Sequence, residues 1–195
     1  MKNNVLIKWW NRIKVAVPIL VLVIIANKSY ATHIVGGNIS YRYISDDIYE
    51  ITVQVRRDCI NGDPEAYFDD PASIGIFDAN GAIITSLGVK GQVLIHLDKV
   101  NFVDPNTETF CTPAGLRSVC VHETTYKGRV SLPFRKGGYW LEYQRCCRNQ
   151  PLVNIIDPLR TGASWVVNIS EESLKLFNSS PAWVQWSKIY MCVNM

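Results

Sequence analysis

The sequence predicts an all-β protein, an antiparallel β-sandwich of the immunoglobulin-like type, stapled by disulfides and containing at most one short helix. Apolar and polar residues alternate in about nine short segments, which is typical of strands with one buried face. Turn-forming pairs such as Asn-Gly and Asp-Pro separate these segments. Six cysteines stand in the same stretch of chain, an even number that favours a disulfide framework.

Residues 1–31 have the three parts of a secretory signal peptide and are predicted to be separate from the fold. Four basic residues precede an apolar run of 12 residues at positions 15–26, and Ser29 and Ala31 are the small residues expected before a cleavage site. An uncleaved anchor helix is the alternative, but the apolar run contains Pro18 and falls short of the ~20 residues that span a bilayer. The remaining chain, residues 32–195, is predicted to form a single sandwich domain with its own core.

The apparent basicity of the chain belongs to this leader. The whole sequence has 20 Lys and Arg against 17 Asp and Glu, but the leader holds five of the basic residues and none of the acids. The exported part therefore has a net charge of −2. It offers no basic patch for phosphates, so nucleic acid is not an expected partner. The membrane is expected as a partner only through the leader, if the leader stays uncleaved.

The predicted central strand begins at Tyr139 and ends at Cys147. Leu141 and Tyr143 fall on the same face as Tyr139, so this face is expected to lie in the core. Successive side chains of a strand point to opposite sides, which predicts that Cys146 and Cys147 face in different directions.

The other predicted strands follow the same alternation. Asn80-Gly81 lies between two apolar runs and predicts a tight hairpin, because both residues accept positive φ. Ser170, followed by two glutamates, is typical of a helix N-cap and predicts the one short helix at residues 170–177. The predicted strands are residues 35–43, 48–57, 73–77, 82–87, 91–97, 119–132, 163–169 and 188–193. Residues 119–132 form either one long strand or a hairpin bent near Lys127-Gly128.

The cysteines are predicted to form three disulfides, because an exported chain meets an oxidising compartment. A metal site is the alternative, but the sequence has no Cys-x-x-Cys pair, and the three histidines, His33, His96 and His122, are scattered. The predicted disulfide residues are Cys59, Cys111, Cys120, Cys146, Cys147 and Cys192.

Strand parity places Cys59 and Cys147 on core-facing positions, which suggests that they pair. The reversed assignment, in which Cys146 takes this place, remains open. A bridge between the adjacent Cys146 and Cys147 is not expected, because a ring closed across one peptide is strained. The suggested pairs are Cys111–Cys120, Cys59–Cys147 and Cys146–Cys192.

No catalytic signature is visible: the sequence contains no G-x-S-x-G, P-loop or H-E-x-x-H pattern. We therefore expect no enzyme, no catalytic residue, no cofactor and no bound metal. The acidic loop at residues 58–71 could attract calcium, but its acids lack the regular alternate spacing of a calcium loop. A solvated acidic loop is the favoured interpretation.

Three function classes are carried forward. The first is a non-catalytic structural or interaction module of the adhesion type. The second is a carbohydrate-binding module that uses exposed aromatic residues. The third, least favoured, is a thiol oxidoreductase at Cys146 and Cys147. The candidate aromatic residues of the second class are Trp140, Trp165, Trp183 and Trp186.

Several motifs together resemble the N-terminal module of large secreted Bacteroidota surface proteins, which carry PKD-type repeats and a gliding-motility-associated C-terminal domain. The similarity covers essentially all of residues 32–195. Its most specific part is Gln144-Arg-Cys-Cys-Arg-Asn149. The other matching motifs are Thr32-His-Ile-Val-Gly-Gly37, Tyr49-Glu-Ile-Thr-Val53, Arg57-Asp-Cys-Ile-Asn-Gly62, Asn178-Ser-Ser-Pro181 and Cys192-Val-Asn194.

The resemblance implies export, type IX secretion to the cell surface or medium, and a role in adhesion or surface structure. It implies an unknown surface protein or polysaccharide as partner and supplies no catalytic residues. The given chain ends at Met195 without the repeats or the sorting domain, which leaves a periplasmic location open as well.

Overall fold

The computed structural model describes residues 33–62, 66–87, 90–103, 120–150 and 152–181. All of these residues belong to one compact unit. They form eight strands, a single turn of 3-10 helix at Pro158–Arg160 and one short α-helix. The strands are β1 (Ile34–Ser45), β2 (Ile48–Asp58), β3 (Ala72–Phe77), β4 (Gln92–Ile95), β5 (Val100–Val103), β6 (Val121–Ser131), β7 (Tyr139–Arg145) and β8 (Ala163–Ile169), and the helix is α1 (Glu171–Lys175).

The strands form two four-stranded sheets. The first sheet has the order β1-β2-β6-β5 and the second has the order β4-β3-β7-β8. All strand pairs within the sheets are antiparallel. The predicted antiparallel β-sandwich with one short helix is confirmed.

The core lies between the sheets and follows the predicted alternation. In β2, the side chains of Tyr49, Ile51, Val53 and Val55 are all buried, while their neighbours in sequence face outward. Burying one such side chain contributes roughly 1.5–3 kcal/mol. The inward residues of β7 complete the opposite wall of this core, and they are Tyr139, Leu141 and Tyr143.

The free edge of β1 is covered by the chain that follows α1. The backbone N–H of Tyr41 donates to Ser180 Oγ at 2.9 Å, and that of Tyr43 donates to Ser179 Oγ at 3.0 Å. The N–H of Ser180 donates back to the carbonyl of Tyr41 at 3.0 Å. These bonds occupy an edge that would otherwise be open to pairing with another strand.

The prediction that residues 82–87 form the second strand of the Asn80-Gly81 hairpin is wrong. The turn forms, with Asp78 Oδ1 accepting from the backbone N–H groups of Asn80 and Ala82. Beyond the turn, only the isolated bridge Phe77↔Ile83 forms. The hairpin would pair residues 82–87 with β3. The edge of β3 that faces away from β7 pairs instead with β4, a strand that comes later in the chain.

The predicted helix is confirmed, with narrower bounds than residues 170–177. Ser170 is its N-cap, and Ser170 Oγ accepts from the N–H of Ser173 at 3.0 Å. Leu174 is buried and fixes the helix against the end of the core. Among the described residues, no helix is both long and apolar enough to cross a membrane.

Candidate functional site

The first disulfide joins neighbouring strands of one sheet. Cys59 pairs with Cys120, with a Cα–Cα distance of 5.2 Å, and the N–H of Cys59 donates to the carbonyl of Cys120 at 3.1 Å. The suggested pairs Cys59–Cys147 and Cys111–Cys120 are therefore wrong. Parity predicted a core-facing Cys59, but its side chain is only partly buried, and the register Asp58↔Val121 puts Cys120 directly beside it.

The second disulfide joins the adjacent Cys146 and Cys147, which overturns both the suggested Cys146–Cys192 pair and the expectation that neighbours do not bridge. The predicted alternation fails here because β7 ends at Arg145. Cys147 has a φ of +82°, outside the β region, and its carbonyl accepts from the N–H of Ile34 at 3.2 Å. Cys147 is buried, whereas Cys146 is exposed.

The described cysteines are poor candidates for metal ligands. The ligand atoms of Cys59, Cys120 and His122 lie within 4.8 Å of one another. However, the two sulfur atoms are bonded to each other and are not available as thiolates, the form that binds zinc. The predicted disulfide residues Cys111 and Cys192 lie outside the described residues.

A buried carboxylate organises the end of the sandwich near these disulfides. Asp58 Oδ1 accepts from the N–H groups of Ile60 and Asn61 at 2.8 and 3.1 Å. Asp58 Oδ2 accepts from the side-chain amides of Asn61 and Asn149 at 2.7 and 2.9 Å. Burial raises the pKa of Asp58, but these hydrogen bonds outweigh it and hold the pKa below its ordinary value. We call these four residues the Asp58 cluster.

A second network holds the acidic loop against the sheets. Tyr143 Oη donates to Asp69 Oδ2 at 2.8 Å, and Tyr126 Oη donates to the carbonyl of Asp69 at 2.8 Å. Arg145 forms an ion pair with Asp69 and donates to the carbonyl of Tyr67. Burial raises the pKa of both Tyr143 and Tyr126 far above the usual range, so both phenols remain donors.

The acids of the loop thus serve as separate hydrogen-bond acceptors. Asp58 and Asp69 each hold different parts of the protein, and Asp70 Oδ1 accepts from the N–H of Leu97 at 3.1 Å. The predicted solvated acidic loop is only partly right, since these carboxylates are structural; residues 63–65 lie outside the described residues.

The tryptophans divide into one packing residue and one surface residue. The Trp165 ring stacks on Tyr143, with ring centroids 5.8 Å apart, and packs against Gly37, where a Cβ would lie 2.7 Å from the ring. Trp140 is on the outer face of the second sheet and is 42 % exposed. Trp183 and Trp186 lie outside the described residues. No aromatic platform is assembled by the described tryptophans.

The outer face of the first sheet carries a polar groove of about 700 Å³. Strand register lines up its floor in rows: Asn38 lies opposite Gln54, which lies opposite Thr125, and Ser40 lies opposite Thr52 in the next row. These side chains point outward because their neighbours in β1 and β2 fill the core. The floor therefore presents amides and hydroxyls, which both donate and accept hydrogen bonds.

The wall of the polar groove is the connection between β4 and β5, and it is anchored at two points. Asp70 accepts from the N–H of Leu97, and His96 Nδ1 lies 3.0 Å from the same carboxylate oxygen. The buried Thr124 Oγ1 donates to the carbonyl of Lys99 at 2.8 Å. These bonds fix the wall before any ligand arrives, which lowers the cost of ordering it on binding.

The charges that line the polar groove nearly cancel. Glu50 accepts from Arg42 at 2.9 Å, and this hydrogen bond is the main reason that the pKa of Glu50 lies below its ordinary value. Asp98 stands on the wall with Lys99, and Lys127 lies on the floor. The groove therefore has no strong field of either sign.

Alternation in the sequence places Glu50, Thr52, Gln54 and Arg56 on the outward positions of β2, but it does not mark these positions as part of a groove. Which strands would flank them was not visible in the sequence. No protein-family model, no curated protein and no solved structure matches the chain significantly.

Proposed function

We propose that this chain is an exported, non-catalytic interaction module that binds a component of the cell exterior through the polar groove of the first sheet. The observation that carries the proposal is the groove itself: a walled space of about 700 Å³ whose floor is made of outward amides and hydroxyls.

Export is supported by the leader at residues 1–31 and by the disulfide Cys59–Cys120, since such bridges persist in oxidising compartments. The resemblance to Bacteroidota surface proteins supports a location at the cell surface or in the medium. An intact mass from each cell fraction tests this step. A species that begins at Thr32 and gains six alkyl groups only after reduction is the expected result. A species with the leader attached, or with free thiols before reduction, would contradict it.

Binding is tested by immobilising the exported chain and passing a cell-surface extract over it. We expect the wild-type chain to retain a component of the extract in a saturable way. Gln144→Ala, which removes a polar side chain from the outer face of the other sheet, should retain it equally well. Ser40→Tyr places a bulky side chain on the β1 side of the groove floor, next to Thr52, and should abolish retention. Equal retention by the Ser40→Tyr variant, or none by the wild type, would refute the proposal.

Thiol–disulfide exchange at Cys146–Cys147 is a second candidate, because the adjacent bridge exists and Cys146 is exposed. An external thiolate would attack Cys146 Sγ, and the electron pair of the broken S–S bond would leave on Cys147; a second external thiol would then release the mixed disulfide. Cys147 is 2 % exposed, and burial disfavours the departing thiolate, so exchange should be slow. Insulin reduction that disappears in Cys146→Ser would favour this candidate.

A further inference from the structure

We infer that the ligand of the polar groove is a neutral, polyhydroxylated chain, that is, an uncharged glycan. This inference rests on the proposed binding function and names the chemistry of its ligand. It differs from recognition by exposed tryptophans, because it places the ligand on the opposite sheet from Trp140.

The floor matches the hydrogen-bonding needs of sugar hydroxyls. A hydroxyl offers one donor and two acceptor positions, and it is satisfied best by groups that can do both. Asn38 and Gln54 present amides, and Ser40, Thr52 and Thr125 present hydroxyls, in two neighbouring rows of the same face. Within the first row Gln54 Nε2 donates to Thr125 Oγ1 at 3.5 Å, and Lys127 stands opposite Thr52 in the second row. Adjacent strands lie about 4.8 Å apart, so the rows form a regular ladder of donors and acceptors across the groove.

One acceptor in this ladder lacks a hydrogen-bond donor among the described residues. Asn38 Oδ1 is buried and accepts no hydrogen bond from any residue that the structure describes. A buried acceptor without a donor is destabilising. The final torsion of an asparagine side chain is soft, so the amide can turn toward the groove that it lines. A ligand hydroxyl in this groove would supply the missing donor.

The same surface fits other macromolecules poorly. Nucleic acid needs a row of cations that neutralise phosphates, yet Arg42 is already paired with Glu50, and Asp98 stands beside Lys99 on the wall. Lys127 on the floor is a single cation and does not make such a row. A peptide is held by apolar anchors in pockets, and the groove side chains in the described strands are polar apart from the buried Tyr41. A neutral chain of hydroxyls needs neither feature.

The experiment is affinity electrophoresis of the full exported chain in native gels that contain dextran, a β-glucan, a mannan or the charged polysaccharide alginate. We expect retardation by at least one neutral polysaccharide. Asn38→Ala and Gln54→Ala should each weaken it about 5- to 10-fold, the loss of roughly one hydrogen bond. Ser40→Tyr should abolish it, while Gln144→Ala and Trp140→Ala should leave it unchanged.

The remaining outcomes separate this inference from the proposed function. Retardation by none of the neutral polysaccharides, or by alginate alone, overturns the glycan inference. Loss of binding in Trp140→Ala with retention in Ser40→Tyr also overturns it and points to the second sheet. If the cell-surface ligand survives periodate, which cleaves vicinal diols of sugars, but is destroyed by protease, the interaction module stands and the glycan does not.

Discussion

Replacing Asp58 by alanine should destabilise the protein strongly. Asp58 is 9 % exposed, and its two oxygens accept four hydrogen bonds, from Ile60, Asn61 and Asn149. A hydrogen bond to a charged group contributes roughly 1.5–3 kcal/mol. The two backbone donors belong to exposed residues and can turn to water, so we expect a total loss of about 3–5 kcal/mol.

Urea unfolding followed by tryptophan fluorescence measures this loss as a lower midpoint at unchanged slope. Asp58→Asn keeps one acceptor but turns an amide toward the amides of Asn61 and Asn149, so about 2 kcal/mol should be lost. Asp47→Ala is the matched control, since it removes an exposed carboxylate in the β1–β2 turn and should change stability by less than about 0.5 kcal/mol. A loss below about 1 kcal/mol in Asp58→Ala would refute the reasoning.

The same cluster predicts a pH dependence with a definite sign. The pKa of Asp58 is lower in the folded protein than the value of about 3.9 in an unfolded chain. Its contribution is therefore complete above that unfolded value and is lost as the pH falls through the lower folded pKa. Wild-type stability should fall below about pH 4, and Asp58→Asn should flatten part of this fall. Equal acid sensitivity in both proteins would contradict the assignment.

Three further predictions concern packing and cross-links. Gly37→Ala should cost about 1–3 kcal/mol in urea unfolding, because its Cβ would lie 2.6 Å from the Gln54 carbonyl oxygen and 2.7 Å from the Trp165 ring; a neutral result would show that both the strand backbone and the Trp165 ring shift at no cost. Serine at both Cys59 and Cys120 should cost about 4 kcal/mol, since this bridge closes a separation of 61 residues; the corresponding change in the adjacent bridge should cost far less, and equal losses would contradict the entropic account. Tyr143→Phe removes the hydrogen bond to the Asp69 carboxylate and should lower the melting temperature by the equivalent of about 1–2 kcal/mol; an unchanged melting curve would oppose it.

The faces of the strands could be predicted because alternation is a local property. Tyr49 and Ile51 in β2, and Leu141 and Tyr143 in β7, are buried as their positions indicated. The N-cap Ser170 was also visible, since a cap depends only on the residues that follow it within one turn. The strand predicted after Asn80-Gly81 does not form, because a turn signal does not determine which strand pairs with β3.

The candidate site could not be predicted from the sequence, because local patterns do not determine which strands become neighbours. Asn38, Gln54 and Thr125 come from three separate strands, and only the order β1-β2-β6 places them in one row. The anchored wall depends on Asp70 and Thr124 meeting the β4–β5 connection, again through contacts between distant parts of the chain.

The sequence by itself determined the strand faces, the helix cap and the all-β class, because each follows from neighbouring residues and their periodicity. Only the tertiary structure decided that Cys59 meets Cys120, that Cys146 meets Cys147, and that outward amides and hydroxyls line one groove. Strand order and register bring these groups together. Both depend on the packing of the whole sandwich and cannot be inferred from a local sequence pattern.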